Sequence, residues 1–289
     1  MPPRIPTVYF DHSALANDAC WQVLTAMCAG GHVQPIVSLW NLYEIGEATD
    51  VQQKAARIAF MRSLKPRWVA ERTTLQREEI KRYVGPPLFR ADYPVIAPFQ
   101  DQLSKVDQLW QGGKRRLHLT PGQWISEIDY SQSPKLKSYS KTALRALQEM
   151  DEAERLDRQT DRFGPWIRNL IPKRSPSGNP ISELERAIMI EYCSADRASF
   201  LDACRSLAFE NAMTLARTNN PRRNPTHSDA IDLFHGVVAL SYCDYFVCRD
   251  GYLRTCADVS RRALQGSSWA EVGTPDDILA MLQGRGIVP

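Results

Sequence analysis

The sequence predicts an α/β protein: a parallel sheet flanked by helices, with a mostly helical insertion between its two ends. Three observations carry this. Residues 1–85 alternate short β-type runs with helical stretches, and residues 226–289 do the same. Between them, residues 86–225 mix Pro, Trp and charge with long amphipathic helical segments. Strands that alternate with helices at both termini form parallel sheets, so the two ends are expected to share one sheet.

The elements follow in order. "TVYF" is a β-type run that ends on Asp11, and "SALANDACWQVLTAMCAGG" has helical spacing that stops at a Gly pair. "QPIVSLW" is a second apolar run, after which Ser38 caps a helix from about Leu39 to Leu64. "RWVA" reads as a third strand and "TLQREEIKRYV" as a helix closed by Gly85-Pro86-Pro87. In the middle, "KTALRALQEMDEAERLDRQTDRF" is helical, "PKRSPSGNP" is a loop, and residues 181–218 form one or two amphipathic helices. "HSDAIDLFHGVVALSYC" is then helical and "DYFVC" a strand. "GYLRTCADVSRRAL" is a helix, "WAEV" a strand, and "TPDDILAMLQG" a capped helix ending at Gly284.

Composition bounds the function classes. With 289 residues, 43% of them hydrophobic, the chain can bury a substantial core. The net charge of +3, from 36 basic and 33 acidic residues, is too balanced to argue for a nucleic-acid partner by itself. No apolar run has the length of a membrane span, and the N-terminus has no secretory apolar region. Seven cysteines without paired spacing read as buried thiols of a reducing, cytoplasmic protein rather than a zinc or disulfide framework.

The informative feature is where the acids fall. Asp11 ends the first strand, and Asp250 lies two residues past "DYFVC". Ligands of parallel sheets gather at the carboxyl ends of strands, so both acids are expected at one crevice. Glu44 lies in the helix after the second strand. Asp232 and Asp229 share the start of the helix before "DYFVC". Carboxylates converging in this way repel one another without a cation, and hard oxygen donors suit Mg²⁺ or Mn²⁺.

These stretches also resemble a known family. "VYFDHSAL" looks like the opening motif of PIN-like nucleases, "PIVSLWNLYEIG" like their second motif, and "DLFHGVVALSYCDYFVCRDGYL" like their closing motif. "SWAEVGTPDDILAML" is similar to the family's last strand and helix. The resemblance covers roughly residues 5–80 and 226–289, and the middle has no counterpart. It implies a PIN-like fold and metal-dependent hydrolysis of phosphodiester bonds, RNA more than DNA, leaving 5′-phosphate and 3′-hydroxyl ends. It also implies an acidic quartet of Asp11, Glu44, Asp232 and Asp250; Asp229, by its spacing on the face of Asp232, is a further metal ligand or an acid that stabilises the helix N-terminus. Ser13 would orient the first acid or a water, and a toxin or defence role is common in the family. Two departures stand out: His12 replaces the usual Thr after the first Asp, and Cys248 replaces the Thr that supports the last acid.

Other residues carry weaker expectations. His235, one turn after Asp232, would touch a substrate phosphate or a carboxylate, or pack in the helix. Arg222 and Arg223 precede the acidic helix and would contact phosphate. Lys114-Arg115-Arg116 and Lys173-Arg174 read as solvated loop charge. Trp110, Trp124 and Trp166 would stack on bases or, more commonly, fill the core. Glu47 reads as solvated and Asp244 as a turn residue. The competing function is a non-catalytic nucleic-acid-binding or interaction protein that keeps the fold, with the helical middle as its working surface. Self-association and a regulatory protein partner are compatible with either reading.

Overall fold

The structure, a computed structural model, describes residues 4–85, 94–105, 118–175, 178–219, 223–226, 228–264 and 269–289. Five parallel strands form its centre: β1 (Thr7–Phe10), β2 (Gln34–Val37), β3 (Arg67–Val69), β5 (Tyr245–Val247) and β6 (Glu271–Gly273). A short strand from the middle of the chain, β4 (Ile96–Ala97), adds to the β3 edge in antiparallel sense, giving the order β4-β3-β2-β1-β5-β6. The two ends of the chain meet where β1 pairs with β5, Val8 opposite Tyr245 and Phe10 opposite Val247. The expected shared sheet is therefore present, with one strand more than the sequence pattern shows.

Both faces of the sheet are covered, so its strands are apolar on both sides, as parallel strands must be. Val8 and Phe10 face one core with Val37, Trp68 and Val247. That core is closed by α2 (Trp21–Cys28), α3 (Leu39–Glu47) and α15 (Pro275–Gly284), which supply Leu24, Leu42 and Ile278. Tyr9, Ile36, Val69 and Phe246 face the other core, under α12 (Arg205–Thr218), α13 (Asp229–Tyr242) and α14 (Gly251–Ala263). A Cβ on Gly236 of α13 would meet the end of the Met213 side chain of α12 at 2.5 Å, so Met213 packs into the space that this glycine leaves.

The helix expected over Leu39–Leu64 is two helices. α3 stops at Glu47, and Asp50 caps α4 (Val51–Ser63) by accepting hydrogen bonds from the amides of Gln52 at 2.8 Å and Gln53 at 3.1 Å. The segment from Lys141 to Phe163 is likewise divided between α8 (Ser133–Gln148) and α9 (Glu152–Leu170), where Asp151 and Glu154 form a capping box. Residues 181–218 give three helices, α10 (Glu183–Ala195), α11 (Arg197–Ala203) and α12, rather than one or two.

Residues 86–225 do not stand apart as one helical layer. Trp124 and Ile125 of α7 (Pro121–Glu127) belong to the first core, and Phe209 and Met213 of α12 to the second. A third core joins α9, α10 and α11 to Ile80 of α5 (Arg72–Val84). The sequence division at residue 226 is thus a division of pattern, not of packing. Trp124 fills the core and Trp166 packs against the third one, whereas Trp110 and Lys114-Arg115-Arg116 lie outside the described residues. All seven cysteines are free thiols. No described helix is long and apolar enough to cross a membrane.

Candidate active site

Chain order reverses around β1: β2 and β3 continue on one side, β5 and β6 on the other. A crevice at the carboxyl ends of the strands beside such a switch point is where α/β sheets bind ligands. Asp11 follows β1 directly and is 3% exposed. Its amide donates to the Val247 carbonyl at 3.0 Å, which fixes it to the end of β5. One carboxylate oxygen, Oδ2, accepts from the Ser13 amide at 3.1 Å, the Ser13 hydroxyl at 2.5 Å and the Cys248 thiol at 3.6 Å. The other, Oδ1, lies 4.0 Å from His235 Nδ1 and accepts no hydrogen bond from the described residues.

Glu44 comes from the second turn of α3. Its Oε2 accepts from His235 Nε2 at 2.6 Å, and its Oε1 has no partner among the described residues. His235 is fully buried on α13, and its Nδ1 lies 2.5 Å from the Tyr9 hydroxyl. Burial alone would depress its pKa. The charge and hydrogen bond of Glu44, with the charges of Asp11 and Asp232, outweigh burial and raise it. Asp232, one turn earlier on α13, accepts no hydrogen bond from the described residues. Burial and the neighbouring charges of Asp11 and Glu44 push its pKa up to about 8. Asp11 and Glu44 thus lie near enough to Asp232 to act on it by charge, and each of the three acids keeps an unused oxygen.

The remaining expected residues are occupied differently. Asp229 is 1% exposed and saturated: Arg223 binds it at 2.7 and 2.9 Å, Thr226 through its amide at 2.8 Å, and Arg217 at 3.5 Å. Burial opposes its ionisation, yet Arg223 and Arg217 hold its pKa below the usual carboxylate value. It serves as an arginine anchor rather than an open ligand. Asp250 is exposed and caps α14, accepting from the Leu253 amide at 2.7 Å. It stands at the rim and does not close the quartet.

Ser13 orients Asp11, as the resemblance implies, and its oxygen also accepts from the Arg249 amide at 3.0 Å. His235 is too buried to reach a phosphate. Arg223 is committed to Asp229 and stacks 3.7 Å from the centre of the Tyr252 ring, and Arg222 lies outside the described residues. Glu47 is not simply solvated: Lys137 binds it at 2.8 Å and Ser133 donates to it. Asp244 is a joint, accepting from the Thr7 amide at 2.7 Å and hydroxyl at 2.8 Å.

Asp11, Glu44 and Asp232 each keep an oxygen that no donor among the described residues satisfies, and carboxylate oxygens are the donor type that hard divalent cations take. Glu44 leans on His235. Among the described residues, no three His, Cys, Asp or Glu side chains stand at metal-holding distances from one another. A cavity of about 770 Å³ lies at the opposite, amino end of the sheet, beside Asp244, Arg261, Trp269 and Arg285. Its lining arginines, Arg261, Arg262 and Arg285, stand among as many acids, Asp244, Asp258 and Glu271, with Arg261 on Asp258 at 3.4 Å and Arg285 on Glu271 at 3.0 Å, so it has no excess charge with which to select a ligand.

The sequence pattern misses Tyr9, Ser38 and Asn41 as members of the site. The available signal is a polar group on an otherwise apolar strand and a polar pair at the start of a buried helix. Comparison with protein-family models, with curated proteins and with solved structures gives no match for this chain.

Proposed function

We propose that the protein is a metal-dependent nuclease of PIN-like type, acting on RNA more than DNA. The observation that carries this is the contrast among its acids. Buried Asp229 and Glu79 are satisfied by protein donors, Glu79 by Ser206 at 2.6–3.1 Å and Tyr242 at 2.5 Å. Asp11, Glu44 and Asp232, by contrast, each keep an oxygen with no protein donor among the described residues, near the carboxyl ends of the strands where ligands bind. Stability does not require that arrangement, and acids held against repulsion in a crevice are functional candidates.

Asp11, Glu44 and Asp232 would hold Mg²⁺ or Mn²⁺, with exposed Asp250 at the rim. When bound, such an ion supplies positive charge at a phosphodiester and lowers the pKa of water. The chain's own residues do the rest. Ser13 and Cys248 fix the Asp11 carboxylate by its Oδ2, which leaves Oδ1 facing the crevice. Exposed Arg249, anchored through its amide to Ser13, flanks the opening and offers a contact for the phosphate backbone.

The test is cleavage of labelled single-stranded and structured RNA and DNA, with Mn²⁺, Mg²⁺ or EDTA. Wild type should cut only with metal, and Asp11→Asn and Asp232→Asn should fall to the EDTA level. Asp250→Asn should lose less. Cutting that survives EDTA, or that both Asn variants retain, would overturn the proposal. The second reading, a non-catalytic nucleic-acid-binding or interaction protein, is favoured by the open spacing of the acids. It predicts binding without cleavage and no calorimetric response to Mn²⁺.

A further inference from the structure

Behind the three acids lies a polar network with no exposure at all. Tyr9, Ser38, Asn41 and His235 are each 0% exposed. The Tyr9 hydroxyl is 2.8 Å from Ser38 Oγ, 3.3 Å from Asn41 Oδ1 and 2.5 Å from His235 Nδ1. Asn41 Oδ1 accepts from the Ser38 amide at 2.7 Å, and Asn41 Nδ2 donates to the Phe10 carbonyl at 3.0 Å. His235 Nε2 donates to Glu44 at 2.6 Å, since an ionised carboxylate can only accept.

The members of this network share a relation to the acids. Tyr9 and Phe10 lie on β1 immediately before Asp11. Asn41 lies on α3 one turn before Glu44. His235 lies on α13 one turn after Asp232. Each element that delivers an acid is therefore tied to the others by a buried hydrogen bond next to that acid. Burying such polar groups is costly unless every one is paired, and a fully paired network fixes one arrangement of the elements that carry it.

We propose that the Tyr9–Ser38–Asn41–His235 network is a positioning device that sets the mutual spacing of Asp11, Glu44 and Asp232, with Tyr9 and His235 as its key positioning residues. The proposal rests on the reading of those three acids as ligands of a divalent cation. Neither residue touches substrate. His235 holds Glu44 by one oxygen and leaves the other toward the crevice, and Tyr9 fixes the ring that does so. Outer partners of this kind tune metal affinity by roughly 10–100-fold.

The experiment uses the full chain, with Tyr9→Phe, His235→Gln, His235→Leu and Glu44→Gln beside wild type. In the metal-free protein, proton NMR of nitrogen-15 histidine-labelled samples should show a strongly deshielded His235 Nε2–H. Glu44→Gln should abolish that signal and Tyr9→Phe should move it. Calorimetric titration with Mn²⁺ alone, well below the unfolding temperature, should give affinity weakened roughly 10–100-fold in Tyr9→Phe. His235→Gln, which keeps a donor, should weaken binding less than His235→Leu.

Absence of the deshielded proton, or its indifference to Glu44→Gln, would overturn the network. A network serving stability alone would lower the unfolding temperature of Tyr9→Phe and leave its Mn²⁺ affinity within twofold of wild type, which would overturn the positioning role. If wild type binds no Mn²⁺, the nuclease reading falls. The spectra then still decide whether the network holds Glu44.

Discussion

Asp229 and Asp232 sit one turn apart on α13 and live under opposite conditions. Asp229 is buried among cations, with Arg223 bridging both of its oxygens, Arg217 beside Oδ1, and a pKa held down by them. Asp232 is half-buried among anions, with no donor from the described residues and a pKa pushed up to about 8. One turn of helix separates an acid that stabilises the fold from an acid that strains it. The difference lies in what each faces: α12 brings Arg217 to Asp229, while β1 and α3 bring Asp11 and Glu44 to Asp232. A buried carboxylate is either satisfied by the protein's own donors, as Asp229 and Glu79 are, or left with open oxygens.

Removing the paired acid should have the largest effect. Asp229→Ala leaves Arg217, itself 3% exposed, without its counter-ion. Breaking a buried pair costs about 3–5 kcal/mol, because the surviving charge stays uncompensated. Urea unfolding should show that loss; a change below about 1 kcal/mol, the scale of an exposed pair, would show that Asp229 does not anchor the helix.

Removing the repelled acid should act in the opposite direction, and its sign depends on pH. Because the folded-state pKa of Asp232 is raised, the native protein keeps a proton that the unfolded chain releases. For this group, stability falls as pH rises from about 3.8, the ordinary value, towards about 8, and is level beyond that. Asp229 has the reverse sign: its contribution is present above the ordinary carboxylate value and is lost as pH falls through its lowered folded value. In EDTA, Asp232→Asn should match wild type near pH 4 and exceed it by several kcal/mol at pH 8, one pKa unit being about 1.4 kcal/mol. A gap that does not change with pH would remove the repulsion from the account. Asp229→Asn should instead lose the acid-side dependence.

This contrast also marks how far the sequence reaches. Asp11 and Ser13 are legible because their geometry is local: an acid at a strand end caps the next turn two residues on. The shared sheet is legible because it rests on runs of apolar residues. The fates of Asp229 and Asp232 are not legible, because a helical period of 3.6 places both near one face. Only the packing of α12 against α13 decides which of the two meets Arg217. His235 reads as a candidate for substrate because sequence shows its distance from Asp232, not the Tyr9 hydroxyl 226 positions away. Glu47 reads as solvated because Lys137 approaches from a helix 90 positions later.

The smallest expected effect lies at Cys248, whose thiol is a soft donor on Asp11. The thiol is fully buried, and burial raises its pKa, so it stays protonated and can donate to Asp11 Oδ2 at 3.6 Å. A thiol is a weak donor. Cys248→Ser offers a stronger hydroxyl in nearly the same place, and Cys248→Ala offers none. Comparing these two variants cancels most of the change in packing and leaves the hydrogen bond. Ser should be the more stable of the pair by about 0.5–1.5 kcal/mol, the usual net worth of such a bond, as read from urea midpoints at pH 7. If Ala equals or exceeds Ser, then Ser13 alone satisfies Oδ2, and the cysteine beside Asp11 is packing rather than support for the acid.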